Sequence, residues 1–152
     1  MKRSGLRVVL CAMVVGVMTF VTGCQDPIEK ENISKYDVID HKWHLTKFVD
    51  IANNNDKLPL QNSENVYWIK FINDEEFEGH SYSNYIQGNY RMDIDTRSLC
   101  FLNIEGSEMY EMYDGDKFLN LLSVVQNFHV SGDTLRLLYN NKMNYLQFEK
   151  LD

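Results

Sequence analysis

From residue 42 onward the apolar positions of this chain mostly repeat every second residue. Trp43, Leu45, Lys47 and Val49 alternate with His44, Thr46 and Phe48, which predicts a strand over 42–49. Residues 66–72 predict another, with Tyr67, Ile69 and Phe71 on one face and Val66 and Trp68 on the other. Asn73-Asp74-Glu75 then turns the chain into a short strand around Phe77. Tyr90, Met92 and Ile94 alternate with Arg91 and Asp93, and Asp95-Thr96-Arg97 turns into a strand over 99–104. Phe128 with Val130, Leu135 with Leu137 and Tyr139, and residues 145–148 complete the pattern, separated by Ser131-Gly132-Asp133 and Asn140-Asn141-Lys142. One segment follows a different period. Phe118, Leu121, Leu122 and Val125 are spaced i, i+3, i+4, i+7, predicting an α-helix near 115–126 with Asp114 and Asp116 at its N-terminus, where unpaired N–H groups favour acids. Residues 51–65, with Asn53-Asn54-Asn55-Asp56 and Pro59, read as a long loop; 106–113, rich in Met and Tyr, has no clear period. About eight short strands and one helix predict a mainly β fold, an antiparallel barrel or sandwich.

The start of the chain has a separate logic. Residues 1–7 carry Lys2, Arg3 and Arg7 and no acid, and 8–21 are apolar except for Gly16 and Thr19. This basic-then-apolar order is that of a signal peptide, and the run falls short of the roughly 20 residues a membrane-spanning helix needs. Val21-Thr22-Gly23-Cys24, which closes it, resembles the lipobox of bacterial lipoproteins. The resemblance implies removal of residues 1–23 and attachment of a diacylglyceryl group and an N-acyl chain to Cys24. Each buried CH₂ contributes about 0.8 kcal/mol, and one acyl chain anchors only marginally, so several on Cys24 would hold the protein stably. Gln25, where an Asp would imply retention in the inner membrane, favours the outer membrane. Asp26, Glu29 and Glu31 resemble acidic surface-export signals. Polar residues 24–41, with Pro27, read as a lipidated tether, of which 25–40 would reach roughly 20–25 Å as a flexible coil. The domain is expected at 42–152.

Cleavage would remove three bases and no acid. The remaining 129 residues then carry 12 Lys and Arg against 22 Asp and Glu, a formal charge of −10 in place of −7. Such a surface repels phosphate backbones and disfavours nucleic acid as a partner. Of Cys11, Cys24 and Cys100 only the last would stay free, so no intramolecular disulfide is available. The apolar neighbours Leu99 and Phe101 suggest a buried, inert Cys100 thiol.

No stretch assembles a catalytic set. Gly79-His80-Ser81-Tyr82-Ser83 partly matches a nucleophile elbow but lacks the final Gly and the helix that should follow. His41 and His44 would lie on opposite faces of a strand, and with His80 and His129 they form no metal-ligand spacing, so neither a metal nor another cofactor is expected. Asp74, Glu75, Glu76 and Glu78 read as a solvated acidic turn. Asp93-x-Asp95 and Asp114-x-Asp116 lack the other ligands of a Ca²⁺ loop and read as turn and helix cap. Tyr82, Tyr85, Met109, Tyr110, Met112 and Tyr113 form the candidate contact surface, with filling of a core or a barrel end as the alternative use of the same residues.

The order of elements, together with Gly79, Ser83, Asn84, Gly88 and Tyr90 at characteristic spacing, resembles the META domain (HslJ-like) family. Trp43-x-Leu45, the helix with Phe118 and Leu122, Phe128-x-Val130-x-Gly132-Asp133-x-Leu135-x-Leu137 and Leu146-x-Phe148 extend the resemblance over 42–150. Ser83 stands where many members carry Cys, so a disulfide at this loop is missing. The resemblance implies a small lipocalin-like antiparallel barrel with one helix and no established reaction. In that reading Asn84 suits a left-handed turn or satisfies loop backbone groups, and Gly88 permits a bulge or a close approach. The expected function is therefore that of a non-enzymatic, lipid-anchored envelope protein that mediates protein contacts or stress tolerance. Binding of a small apolar ligand in the barrel, or inhibition of a secreted hydrolase, are the alternatives.

Overall fold

The computed structural model describes residues 33–151, so the expected signal peptide and Cys24 lie outside the described residues. Nine antiparallel strands form one sheet: β1 (Lys42–Asp50), β2 (Asn55–Lys57), β3 (Trp68–Phe71), β4 (Glu76–His80), β5 (Tyr85–Asp93), β6 (Ser98–Gly106), β7 (Asn127–Ser131), β8 (Thr134–Tyr139) and β9 (Asn144–Leu151). Helix α1 (Gly115–Leu122) lies between β6 and β7. Neighbours follow the order β2-β1-β3-β4-β5-β6-β7-β8-β9, and β1 also pairs with β9, so the sheet closes into a ring. The mainly β fold with one helix is as the alternation predicts, with one strand more.

The extra strand is β2, inside the stretch read as a long loop. All three of its residues are polar and exposed, so no alternation marks it; it is a strand because Asn55, Asp56 and Lys57 pair with Asp50, Val49 and Phe48 of β1. One edge of β1 runs along β9, while the other is divided between β3 at Lys42–His44 and β2 at Phe48–Asp50.

The core fills the ring. Trp43, Leu45, Tyr67, Ile69, Phe71, Leu135, Leu137, Leu146 and Phe148 are fully buried. Phe71 meets Tyr90 edge-on at 4.7 Å and Phe77 meets Phe101 at 4.8 Å, geometries that suit the ring quadrupoles. Two bulges depart from simple alternation. In β1 the register with β9 shifts between Leu45 and Lys47, and the inserted Thr46 turns Phe48, expected on the outer face, into the core. In β6, Asn89 pairs with Asn103 and Tyr90 with Phe101, which leaves Leu102 unpaired and 56% exposed.

Three further expectations change. Residues 33–41, read as tether, join the domain: Ser34 and Asp37 form a capping box around a 3-10 turn, and Val38 and Ile39 are buried. Trp43 Nε1 donates to Val38 O at 2.9 Å, and Ile39 bridges Phe71 in parallel, which ties this arm to the sheet. The helix ends at Leu122 rather than near 126, leaving Val124 exposed and Val125 buried. Cys100 is half-buried rather than sealed, because alternation turns Leu99 and Phe101 inward and Cys100 outward.

Antiparallel alternation sorts the connections. The arm at Ile33, the turns at 72–75, 94–97 and 132–133, and Leu151 gather at one end, here the termini end. Residues 51–67, 81–84, 107–114 and 140–143 gather at the far end. β6 meets β7 at the single pair Ser98–Asn127, flanked by Leu99 N to Gln126 O at 3.1 Å and Phe128 N to Arg97 O at 3.0 Å. Phe118 and Leu122 of α1 are fully buried in the core, where Phe118 contacts Tyr67 at 5.8 Å and Phe148 at 6.3 Å.

Gly88 is required by contact. A Cβ there would lie 2.1 Å from the Asn103 carbonyl oxygen, which is backbone and has no room to retreat, whereas a Cβ on Gly106 meets its nearest neighbour at 3.5 Å. Gly88→Ala is expected to cost about 2–3 kcal/mol and Gly106→Ala under about 0.5 kcal/mol in urea unfolding. Equal midpoints for the two variants would contradict the close approach.

Candidate functional site

The far end is held by a buried polar knot. Asn84, 3% exposed, uses both ends of its carboxamide: Nδ2 donates to Met109 O at 2.8 Å and Glu111 Oε1 at 2.6 Å, while Oδ1 accepts from Met109 N at 2.9 Å and Ser107 Oγ at 2.8 Å. The Glu111 carboxylate also takes the Ser81 hydroxyl and the Ser83 N–H at 3.2 Å. Ser81 is fully buried, and its Oγ accepts from Asn84 N at 3.0 Å. Ser83 Oγ accepts from Met112 N at 3.2 Å. The loop after β4 and the segment after β6 are thus sewn together by side chains. Every polar atom removed from water here has a partner, which is the condition for a buried network to be tolerated.

A second tie lies beside it. Asp114 Oδ1 accepts from Lys57 Nζ at 2.7 Å and Oδ2 from Leu60 N at 2.8 Å, which joins β2 and the following loop to the start of α1. Asp114 is expected as a helix cap, but its side chain makes no capping bond because it is turned to Lys57. Burial alone would raise its carboxyl pKa; the hydrogen bonds from Lys57 and Leu60 and the charges of Lys57 and Lys117 outweigh that and hold it below the ordinary 3.8. Asp114 N in turn donates to the Tyr67 hydroxyl at 3.2 Å, and burial pushes the Tyr67 phenol up to about 12. Tyr67 and Tyr113 both have positive φ, 52° and 51°, a conformation bulky side chains avoid. Tyr67 is held there by Leu45 N to its carbonyl and its own N–H to Ser81 O, so the surrounding structure over-determines it.

These ties present an apolar rim. Tyr110 is 87% exposed, Met109 60%, and Met112 and Tyr113 about half. Tyr82 and Tyr113 stack edge-on at 4.5 Å, so five of the six residues of the candidate surface share this rim. The sixth, Tyr85, stands at the same end, at the start of β5, but on the outer face of the sheet, its hydroxyl donating to Glu78 Oε2 at 2.7 Å, a bond that with burial raises its pKa.

The other candidates disperse. His44 Nε2 pairs with Asn62 Oδ1 at 2.9 Å, His80 Nδ1 with Ser81 O at 2.8 Å, and His41 meets Trp43 edge-on. Among the described residues no three His, Cys, Asp or Glu are placed to hold a metal ion. Of the acidic turn, Asp74 pairs with Lys35 at 2.7 Å in the open. In the family-like motif, Trp43 and Tyr90 are core residues, the Tyr90 hydroxyl donating to Asn73 O, and Gly79 passes so close to Trp68 O that a Cβ would lie 2.4 Å from it. Asn84 has no left-handed backbone; of the two uses expected for it, satisfying loop groups is the one it has. Sequence reasoning missed Glu111, Lys57 and Ser107. The one signal was an acid inside an otherwise Met- and Tyr-rich segment.

No family model and no curated protein matches the chain. Two solved structures are similar to it. A protein from Burkholderia xenovorans, determined by NMR, aligns with a TM-score of 0.60 at 18% identity over 75% of this chain and 83% of its own. A DUF4847 family protein from Bacteroides vulgatus ATCC 8482 aligns with a TM-score of 0.56 at 18% identity over 76% of this chain and 96% of its own. At that identity the likeness shows the fold and carries no residue role.

Asp114→Asn removes a charge-assisted tie whose lysine is partly solvated, an expected loss of about 1–2 kcal/mol near neutral pH. Because the folded carboxyl lies below 3.8, its stabilisation is complete above that value and is lost as pH falls through the depressed folded value. Urea midpoints between about pH 2 and 6 should therefore drop less steeply for the variant. Parallel profiles would refute the tie. Asn84→Ala, which deletes four hydrogen bonds, should cost about 3 kcal/mol in the same assay.

Proposed function

We propose that this chain is a non-enzymatic, lipid-anchored protein of the cell envelope, of META-like (HslJ-like) kind, whose far rim docks a protein partner. The observation that carries the reading is a rigidly held apolar loop. Tyr110 points to solvent while Met109 and Glu111 on either side are fixed to Asn84. Exposed aromatics that are already ordered lose little entropy on binding, which is what contact anchors require.

Geometry relative to the anchor agrees with it. Ile33 enters at the termini end, and the chain from Cys24 to Ile33 spans at most about 30 Å. A lipid on Cys24 would attach through the termini end, which supports a rim left free for a partner. Gln25 supports the outer membrane. Among the described residues no helix is long and apolar enough to cross a membrane. The side-chain-filled ring favours contact through the outer surface over a ligand held inside. Ser81, the hydroxyl of the elbow-like stretch, is buried and committed to Glu111, which supports a role without chemistry of its own.

Cys24→Ser should abolish lipid labelling and release the protein from membranes; retention with label would disprove the anchor. A photo-reactive residue at Tyr110 should yield a discrete protein adduct in intact cells, and one at Asp95 on the termini end should not. Tyr110→Lys with Met112→Lys, carrying a probe at Met109, should lose the adduct without a change in Tm. A rim that captures nothing from its native membrane would sink the docking claim.

A further inference from the structure

The outer face of β4, β5 and β6 carries a hollow of about 340 Å³ that the far rim does not use. Smaller and larger hollows of about 240 and 510 Å³ adjoin it, sharing Tyr85, Gln87 and Glu105 on one side and Asn89 and Asn103 on the other, so together they form a trough. Its floor follows from the register. Glu78 stands beside Gln87 and Gln87 beside Glu105; one step along, Glu76 stands beside Asn89 and Asn89 beside Asn103. Neighbouring strands lie about 4.8 Å apart and alternate residues about 6.7 Å apart, so these carboxylates and carboxamides form a grid of flat polar groups.

Glu78, Asn103 and Glu105 are positioned rather than loose. Glu78 accepts from the Tyr85 hydroxyl, the Asn103 amide donates to Glu105 Oε1 at 3.3 Å, and Asn103 Oδ1 accepts from Asn89 N at 2.8 Å. Tyr85, 43% exposed, has its polar tip fixed and its ring left at the trough edge. The lining excludes several ligand classes. Glu76, Glu78 and Glu105 in the 340 Å³ hollow repel phosphate and other anions, and beyond it Asp74 and Glu75 outnumber the one cation, Arg91. The 340 Å³ hollow has a mostly polar lining, unsuited to a lipid chain, while Tyr90, Met92 and Leu102 add an apolar stretch in the larger one; no metal-ligand cluster is present among the described residues. What remains complementary is a molecule with a rim of hydroxyls, each donor and acceptor, and a flat C–H face. Planar carboxylates and carboxamides can meet adjacent hydroxyls in pairs, and the Tyr85 ring can cover the C–H face. The volume falls within the range of small-ligand sites, about 300–1,000 Å³.

We propose that this trough binds a saccharide, a neutral or amino-sugar unit of a glycan, independently of the far rim. The test uses the full chain purified in detergent and, as probes, cellotetraose, mannotetraose and tri-N-acetylchitotriose, each titrated to millimolar concentration by calorimetry. At least one should bind, and Tyr85→Ala and Gln87→Ala should each weaken it about tenfold, while Asn141→Ala on the far end leaves it unchanged. Amide chemical-shift changes in the unaltered protein, confined to β4–β6, locate the same site should a variant lose stability. Failure of all three probes to bind, or binding whose shift changes map elsewhere, overturns the proposal.

Discussion

Phe118 and Leu122 of α1 are fully buried in the core, so the short helix that carries them has to be held in place. That constraint organises the far half of the molecule. A helix of eight residues is well below the length of about 12–15 at which isolated helices begin to hold in water. It persists because Phe118 and Leu122 are buried and because its N-terminal approach is fixed from outside. The Asn84–Glu111 knot fixes the chain ahead of the helix, and the Asp114 tie to Lys57 and Leu60 fixes its N-cap residue to β2 and the loop after it. Gly115 belongs to the same arrangement: a Cβ there would lie 1.9 Å from the Glu111 carboxylate, so the knot and the helix start occupy one space.

The knot also decides what is exposed. Segment 107–114 must span from the end of β6 to α1, and its inward hydrogen-bonding groups are taken by Asn84 and Ser83. Apolar side chains with no remaining room inside then face solvent, Tyr110 most of all. The rim is thus a by-product of fixing the approach to α1, held by the same bonds. A mobile loop bearing the same Met and Tyr residues would lose much of its contact energy to ordering.

The parts of the fold legible in the sequence are those where period two runs uninterrupted between turn residues. Phe128 and Val130, Leu135 and Leu137, and Leu146 and Phe148 all point inward as their alternation predicts, with Gly132 at φ +55° and Asn140 and Asn141 left-handed in the turns between them. Bulges are illegible because an inserted residue has no side-chain signature: Thr46 and Leu102 read as ordinary alternating positions, and simple alternation therefore puts Phe48 on the wrong face. β2 is illegible because pairing alone makes it a strand. The polar ties are illegible for a different reason. Asp114 lies 57 positions from Lys57 and Glu111 lies 27 from Asn84, and a carboxylate next to a helix has an adequate local explanation that hides the distant one.

The two surfaces differ in what positions them, and this bears on how independent they can be. The far rim depends on the knot, hence on loops joined mainly by side chains with a few backbone bonds, such as Ser107 N to Tyr85 O at 3.2 Å. The trough depends on strand register: Gln87 and Asn89 are set by β5 between β4 and β6, where backbone pairing is continuous except at the Leu102 bulge. That bulge lies at the trough itself. It allows Asn103 to turn its carboxamide across to Asn89 N, which an unbroken ladder would have paired with backbone. Loss of the knot would therefore loosen the rim first and leave the β4–β6 face paired, whereas a change at Gly88, whose closest neighbour is Asn103 O, would disturb the trough while leaving the Asn84 bonds in place.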